Sequence, residues 1–361
     1  MNPPPLESVT VIFMHEQQVF AVQRQPYLLA FPGYHAFPGG KIDPDESSIV
    51  FETEFLCKYN ALRMRALQRE VGEELGYDLE DGIKKGEVLS LSELAEALAP
   101  PFAPVRFRTW FYRVDLSRRI NFKVDTGEFA DSFWKTPDEL LEFFRSGKSL
   151  MVPPTRWVLE GLQKNPQATA FGDLSQDFAE NKTVPCMEML EGVPQYAVKS
   201  ATLPPASRTN AFMLGDVDAP KLLVDPSPNS VEEYQCLLNT IEGRKLDAIF
   251  LTHHHPDHHQ FSNHLARKLK LPIILSQDTQ QRLTLKNGED YFEQVELCNP
   301  SENEEVTRWH GSAVRVYEIP GHDAGHLGLA PDTLSWFLVG DLIQGIGTVV
   351  IPSPEGDMAT Y

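Results

Sequence analysis

The 361-residue sequence predicts two domains, an α+β domain followed by a layered α/β domain. Two β-rich runs at 8–14 and 18–24, separated by a short polar turn, indicate a hairpin that opens the first domain. Strand-like and helix-like segments alternate after about residue 205, as in sheets covered by helices. The length agrees with two domains, because a single hydrophobic core rarely grows beyond about 250–300 residues.

In the first domain, one segment has the pattern of an amphipathic helix. From Ala61 to Leu75 apolar residues recur every three or four positions, and Gly76 is placed to end the helix. A β-rich run at 106–116 follows, and then a helix at 137–147 that either ends there or is extended by 155–162. These elements suffice for a domain of ordinary size.

A change of composition marks the boundary between the domains. We place the first domain at 1–165, a linker rich in Pro, Gly, Asn, Gln and acidic residues at 166–195, and the second domain at 196–361. The alternating segments of the second domain are strands at 211–216, 221–227, 246–252 and 272–276 and helices at 231–243 and 263–270. Alternation of this kind predicts functional sites at the ends of strands.

Composition narrows the function. A net charge of -19 would repel a phosphate backbone, so sequence-independent binding of DNA or RNA is not expected. A bound divalent cation would still allow small anionic substrates. We expect no membrane association and a cytoplasmic protein, because no signal peptide or spanning segment is visible. The four cysteines are widely spaced, which argues against a disulfide framework or a zinc knuckle.

Three carboxylates lie on one face of the predicted helix. Glu70, Glu73 and Glu74 stand at i, i+3 and i+4 and would repel one another without a cation between them. Oxygen ligands favour Mg²⁺ or Mn²⁺, which also bind substrate phosphates. A coordinated water, or one carboxylate acting as a base, could then drive attack on a pyrophosphate. The alternative is an ordinary solvated helix face.

This stretch resembles the Nudix hydrolases, whose signature is G-x5-E-x7-R-E-U-x-E-E-x-G-U. Gly40 and Glu46 match its first half and residues 69–77 match its second half, but 22 residues separate the halves where the family has seven. An interrupted signature, with Pro104–Thr109 after it, is similar to the coenzyme A diphosphatase branch. The resemblance implies a Nudix fold and pyrophosphatase activity, or a Nudix-shaped domain that has lost activity. The metal-binding and catalytic residues it implies are Arg69, Glu70, Glu73 and Glu74.

Five of the 11 histidines fall between His253 and His259, directly after the strand at 246–252. Imidazoles and a carboxylate at this density suit Zn²⁺ or a similar metal, and alternate residues of an extended segment can point into one pocket.

The segment resembles the H-x-H-x-D-H signature of the metallo-β-lactamase superfamily, with its αββα fold. The matching positions are His253, His255, Asp257 and His258. Further landmarks are Asp225 before this segment and His322 and Asp341 after it. The resemblance implies two Zn²⁺ sites: His253, His255 and His322 hold one ion, Asp257 and His258 hold the second, and Asp341 bridges them. A water between the ions would be activated for hydrolysis, with Asp257 as a catalytic residue.

The other histidines are assigned lesser roles. His254 and His259 are expected to support the ligands or to face solvent, and His326 is ambiguous. Ordinary surface or packing roles are expected for His15, His35, His264 and His310.

The family also has a final ligand histidine some tens of residues after Asp341, whereas the sequence stops at Tyr361. We therefore expect the second domain to be truncated. Its run at 340–351 resembles the glyoxalase II-like, thioesterase or endoribonuclease branch.

Together the two resemblances predict a bifunctional hydrolase of nucleotide-derived small molecules, with coenzyme A or its acyl thioesters as the candidate substrates. Two alternatives remain open. One is a regulatory protein in which one silent domain senses a nucleotide, and the other is a nuclease in the second domain. The sequence does not specify the oligomeric state.

Overall fold

The computed structural model describes residues 4–43, 50–103, 105–176, 181–344 and 348–361. Two compact units make up the chain. Unit 1 comprises Met1–Asp177 with Met189–Glu191, and unit 2 comprises Phe178–Glu188 with Gly192–Tyr361. In the part of the chain that the structure describes, no helix is both long and apolar enough to span a membrane.

Unit 1 is built on one mixed sheet. Its strands are β1 (Leu6–His15), β2 (Gln18–Arg24), β3 (His35–Ala36), β4 (Gly39–Lys41), β5 (Val88–Leu98), β6 (Phe107–Leu116), β7 (Phe129–Lys135) and β8 (Gly172–Asp173). The order is β3-β2-β1-β6-β5-β8, with β4 paired to β1 and β7 paired to β2. The predicted hairpin is confirmed, since β1 and β2 pair antiparallel around a short turn.

Helices cover both faces of this sheet. They are α1 (Glu54–Cys57), α2 (Ala61–Leu75), α3 (Leu79–Lys84), α4 (Pro137–Arg145) and α5 (Pro153–Lys164). Alternate residues of β1 face opposite sides, as a strand requires. Phe13 packs in the core that includes α2, and Met14 packs in the core that includes α4 and α5.

The predicted helix α2 has the predicted bounds. The Asn60 side chain caps its first turn by accepting from the backbone N–H groups of Leu62 and Arg63. Gly76 ends it in the left-handed conformation, with φ of 59°, which a side chain would disfavour.

Two expectations for unit 1 differ from the structure. The helix at 137–147 is not extended by 155–162, because the chain leaves the helix at Ser146 and α5 begins separately at Pro153. Strand β5 was not predicted, since its run Ser-Glu-Leu-Ala-Glu-Ala-Leu favours a helix by local propensity. Pairing with β6 along its length overrides that preference.

The described residues of unit 2 form two sheets. The larger has seven strands in the order β15-β14-β13-β12-β11-β10-β9: β9 (Cys186–Met187), β10 (Gln195–Lys199), β11 (Arg208–Leu214), β12 (Leu222–Val224), β13 (Ala248–Phe250), β14 (Ile273–Ile274) and β15 (Leu297–Cys298). The smaller is β16 (Glu305–Trp309), β17 (Ser312–Glu318) and β18 (Leu327–Pro331). The helices are α6 (Val231–Ile241), α7 (Pro256–His259), α8 (Ser262–Leu269) and α9 (Gln277–Asn287), with a 3-10 helix at Gly340–Leu342.

The parallel strands of unit 2 position its histidines. Strands β12, β13 and β14 run parallel, so their carboxyl ends meet at one edge of the sheet. Asp225 follows β12 directly, and the histidine-rich segment follows β13. The predicted alternation of strands and helices is confirmed here, whereas α9 and the three-stranded sheet were not predicted.

The segment predicted as a linker, 166–195, contributes a short strand to the sheet of unit 1 and another to the larger sheet of unit 2. It contributes β8 to the sheet of unit 1, where β8 pairs with β5. It also contributes β9 to the larger sheet of unit 2, where β9 pairs with β10.

Candidate metal centres

Three histidines of unit 2 converge at the carboxyl end of β13. The Nδ1 atom of His255 lies 3.0 Å from Nε2 of His253 and 2.9 Å from Nε2 of His322. His253 and His322 are buried. The ligand atoms of His253, His255 and His322 all lie within 4.8 Å of one another, as binding of a single ion requires.

Electrostatics favour the neutral form of His253 and His255. Burial, with the neighbouring His258, lowers the pKa of His253 well below its usual value. Burial and the His322 ring lower the pKa of His255 to about 4. The close nitrogen atoms of the three rings can share one metal ion, so the donor set fits a transition metal.

A second group combines His258 with a carboxylate. Nε2 of His258 lies 3.2 Å from Oδ1 of Asp341, and these residues form a second possible ligand set with His253. Asp257 is more distant, with its Oδ2 atom 3.8 Å from Nε2 of His258. Burial alone would raise the pKa of Asp341, but the hydrogen bond from His258 and its charge lower it to about 2.

Asp225 organises the base of this site. Its Oδ1 atom accepts from the Thr252 backbone N–H at 2.8 Å, and its Oδ2 atom accepts from the Thr252 hydroxyl at 2.7 Å and from Nδ1 of His258 at 2.8 Å. Although burial opposes protonation of His258, the charge of Asp225 holds the pKa of that ring well above its usual value. The backbone of Asp225 is left-handed, with φ of 49°.

Further buried groups surround the cluster. His254 lies 2.6 Å from Asp323, and the two form a third possible ligand set with His255. Nδ1 of His259 lies 2.8 Å from the Tyr291 hydroxyl. Of the two roles expected for His254 and His259, exposure to solvent is wrong, because both rings are buried against polar partners.

Sequence reasoning assigned no role to Asp323 and left His326 undecided. The segment Pro-Gly-His-Asp-Ala-Gly-His contains both residues and could have suggested them. His326 is buried, and its ring nitrogens have no hydrogen-bond partner among the residues described. Burial and the neighbouring His258 lower its pKa to about 3.

The carboxylates of unit 1 lie where α2 packs beside β4. The buried Glu74 accepts a hydrogen bond from the Gly39 backbone N–H at 2.8 Å. A Cβ atom on Gly40 would lie 2.2 Å from Oε1 of Glu70, so a side chain at this position would have to displace the Glu70 carboxylate. The Glu73 side chain is 64% exposed and lies at the outer side of the group.

Arg69 connects two of these carboxylates to the strand. Its guanidinium donates to Oε1 of Glu70 at 2.8 Å, to Oε2 of Glu73 at 3.1 Å and to the Lys41 carbonyl at 2.8 Å. Arg69 therefore fixes the direction of both side chains.

Burial and mutual repulsion raise the pKa values of Glu70 and Glu74. Burial, followed by the charges of Glu128 and Glu70, raises the pKa of Glu74 to about 9. Burial also raises the pKa of Glu70. A hard cation would relieve this repulsion, so the oxygen-rich set fits Mg²⁺ or Mn²⁺. Sequence reasoning missed Glu128, which precedes β7.

Two features limit the match to the sequence interpretation. Glu70, Glu73 and Glu74 are not among the clusters of described residues whose ligand atoms all lie within 4.8 Å of one another. Glu46 and Pro104, which were part of the resemblance to the Nudix signature, lie outside the described residues.

Comparison with known proteins places the second half of the chain in a family. Residues 204–361 match the family model described as the metallo-beta-lactamase superfamily. Unit 2 carries a metallo-β-lactamase domain. Over 141 residues, the chain is 29% identical to a hydroxyacylglutathione hydrolase of Wigglesworthia glossinidia brevipalpis, covering 38% of this chain and 47% of the relative. The chain spans about half the length of the curated relatives that it matches.

Solved structures similar to the chain belong to two families. A NUDIX hydrolase from Alicyclobacillus acidocaldarius has 21% identity and a TM-score of 0.37, covering 45% of this chain and 93% of its own, in the N-terminal half. A metallo-beta-lactamase from Pontibacter korlensis has 12% identity and a TM-score of 0.41, covering 49% of this chain and 81% of its own.

In the metallo-β-lactamase domain, the structure brings together most of the residues singled out from the sequence. His253, His255 and His322 form one group, while His258 and Asp341 form the other with His253. Asp257 borders the second group without joining a set.

Proposed function

We propose that the chain is a bifunctional metal-dependent hydrolase with one reaction in each unit. The metallo-β-lactamase domain hydrolyses an ester or thioester, and unit 1 is a Nudix pyrophosphatase that cleaves a nucleoside diphosphate-linked compound. Coenzyme A and its acyl thioesters are the candidate substrates, because they contain both bonds. The contrast between clustered imidazoles in one unit and carboxylates on one helix, joined by Arg69, in the other carries this proposal.

In the metallo-β-lactamase domain, His253, His255 and His322 would hold one Zn²⁺. His258 and Asp257 would hold a second ion, with Asp341 between the two. Ions bound there would supply Lewis-acid polarisation of the substrate carbonyl and lower the pKa of a water.

The residues of the domain prepare this site. Asp225 accepts from Thr252 and from Nδ1 of His258, which directs Nε2 of His258 towards Asp341. The Thr252 hydroxyl lies 3.0 Å from Nδ1 of His253 and can accept a hydrogen bond from an N–H at that position, since its own proton is donated to Asp225. These contacts fix the orientation of the His253 and His258 rings, so that Nε2 of each ring faces the cluster.

In unit 1, Glu70, Glu73 and Glu74 would hold Mg²⁺ or Mn²⁺, which would neutralise the charge of a pyrophosphate. Arg69 orients Glu70 and Glu73, and the Gly39 N–H orients Glu74. The exposed Glu73 is the carboxylate that a solvent-borne substrate reaches most easily.

Two observations support thioester hydrolysis over RNA cleavage in the second unit. The curated relatives include proteins named hydroxyacylglutathione hydrolase, which act on acylated glutathione by that name. The net charge of -19 is also unfavourable for binding a polyanion.

The double variant Glu73→Gln and Glu74→Gln tests the pyrophosphatase. We expect it to lose Mg²⁺-dependent pyrophosphate cleavage while the far-UV circular dichroism is retained. Glu142→Gln, on an exposed position of α4, is a matched control that should cleave normally. Unchanged turnover by the double variant would overturn the assignment.

A further inference from the structure

The rings of the metallo-β-lactamase domain share one arrangement. Each clustered ring has one nitrogen that faces the cluster and one that faces away. The outward nitrogen of His253 lies 3.0 Å from the Thr252 hydroxyl, and that of His258 lies 2.8 Å from the Asp225 carboxylate. Histidines that bind metals usually donate the outward N–H to such a partner, which fixes the ring and its tautomer.

The two remaining rings take their outward partners from the segment 350–361. Nδ1 of His322 donates to the Val350 carbonyl at 2.6 Å, because a carbonyl can only accept. For His255, the outward Nε2 atom faces the Glu355 carboxylate, with Oε2 at 3.7 Å. The other oxygen of that carboxylate, Oε1, lies 3.7 Å from Nε2 of His254.

Backbone contacts hold this segment against the loop that carries His322. The Ala324 N–H donates to the Glu355 carbonyl at 2.9 Å, and the Asp357 N–H donates to the Gly321 carbonyl at 2.8 Å. Two glycines permit the close approach. A Cβ atom on Gly321 would lie 2.7 Å from Cα of Tyr361, and one on Gly356 would lie 2.5 Å from the His322 carbonyl oxygen.

We propose that Glu355 is a positioning residue of the metal centre, whose carboxylate orients the His255 ring from the side opposite to the cluster. The inference rests on the proposed function, since it assumes that His255 binds a metal through Nδ1. Its carboxylate faces His255, which lies between the other two rings of its group. Loss of the carboxylate frees this ring to turn and weakens the whole group.

The test uses the full chain with Glu355→Ala and Glu355→Gln, and with Glu289→Ala as a control at an exposed glutamate of the same unit. Zn²⁺ affinity is measured by competition with a chromophoric chelator. We expect Glu355→Ala to bind Zn²⁺ about 10- to 100-fold more weakly, the usual effect of removing such a partner. Glu355→Gln keeps an oxygen acceptor without the charge, so it should lose less.

The visible absorption spectrum of the Co²⁺-substituted protein provides the second readout, because it reports ligand geometry. Glu355→Ala should shift this spectrum while the far-UV circular dichroism and the control spectrum stay unchanged. Wild-type affinity and spectrum in both Glu355 variants would overturn the inference while leaving the proposed function intact. Failure of the wild-type protein to bind Zn²⁺ or Co²⁺ would overturn both.

Discussion

Replacing Glu74 by glutamine should stabilise the metal-free protein at neutral pH. Burial raises the pKa of Glu74 from its ordinary 4.5 to about 9. Because the folded-state pKa lies above the unfolded one, the stability contribution of this group is fully present below about pH 4.5 and is lost as pH rises towards 9. At pH 7 the loss is about 3 kcal/mol, since each pKa unit corresponds to 1.36 kcal/mol.

Glutamine avoids this loss and can still accept from the Gly39 N–H. We therefore expect Glu74→Gln to raise the unfolding free energy of unit 1 by about 3 kcal/mol at pH 7, and by less than about 1 kcal/mol at pH 5. Mg²⁺ or Mn²⁺ should stabilise the wild-type unit and should stabilise the variant far less, because a carboxylate ligand is missing.

Hydrogen exchange of peptides from β1 and α2 measures this locally, in the intact chain with a chelator and over a urea series. Glu142→Gln is again the control. Equal stability of wild type and Glu74→Gln at pH 7, with the same dependence on pH, would refute the reasoning. It would mean that Glu74 is not a buried carboxylate whose charge destabilises the metal-free protein.

Three other substitutions probe separate parts of the account. Gly40→Ala should displace the Glu70 carboxylate, which a Cβ atom would meet at 2.2 Å, and weaken Mn²⁺ binding about tenfold or more in an electron paramagnetic resonance titration, without unfolding. Asp225→Asn tolerates the left-handed backbone but removes the charge opposite His258, so bound Zn²⁺ measured by elemental analysis should fall sharply. Arg113→Met removes the buried side chain that donates to the backbone carbonyls of residues 166 and 168. It should lower the free energy of unfolding of unit 1, measured by thermal denaturation, by about 3 kcal/mol.

Local spacing explains what could be predicted of the sites. Helical periodicity predicted one shared face for Glu70, Glu73 and Glu74, and alternation after a strand predicted that His253 and His255 lie together. The differences in burial among the three carboxylates could not be predicted, because they depend on which residues face the sheet.

Contacts between distant segments explain what could not be predicted. Glu128 acts on Glu74 only because the turn before β7 packs beside α2. The pairing of His254 with Asp323 depends on the approach of two loops that are far apart in the chain. Strand β5 likewise exists through its partner β6 and not through its own composition.

Mass spectrometry of the products formed from acyl-coenzyme A, with Mg²⁺ or with Zn²⁺, tests the central claim most directly. We expect the acylated phosphopantetheine and adenosine 3′,5′-bisphosphate in Mg²⁺, lost in Glu74→Gln, and free coenzyme A in Zn²⁺, lost in His255→Asn. Each variant should keep the other reaction. If a protein that binds both metals formed the products of neither reaction, the account would be contradicted.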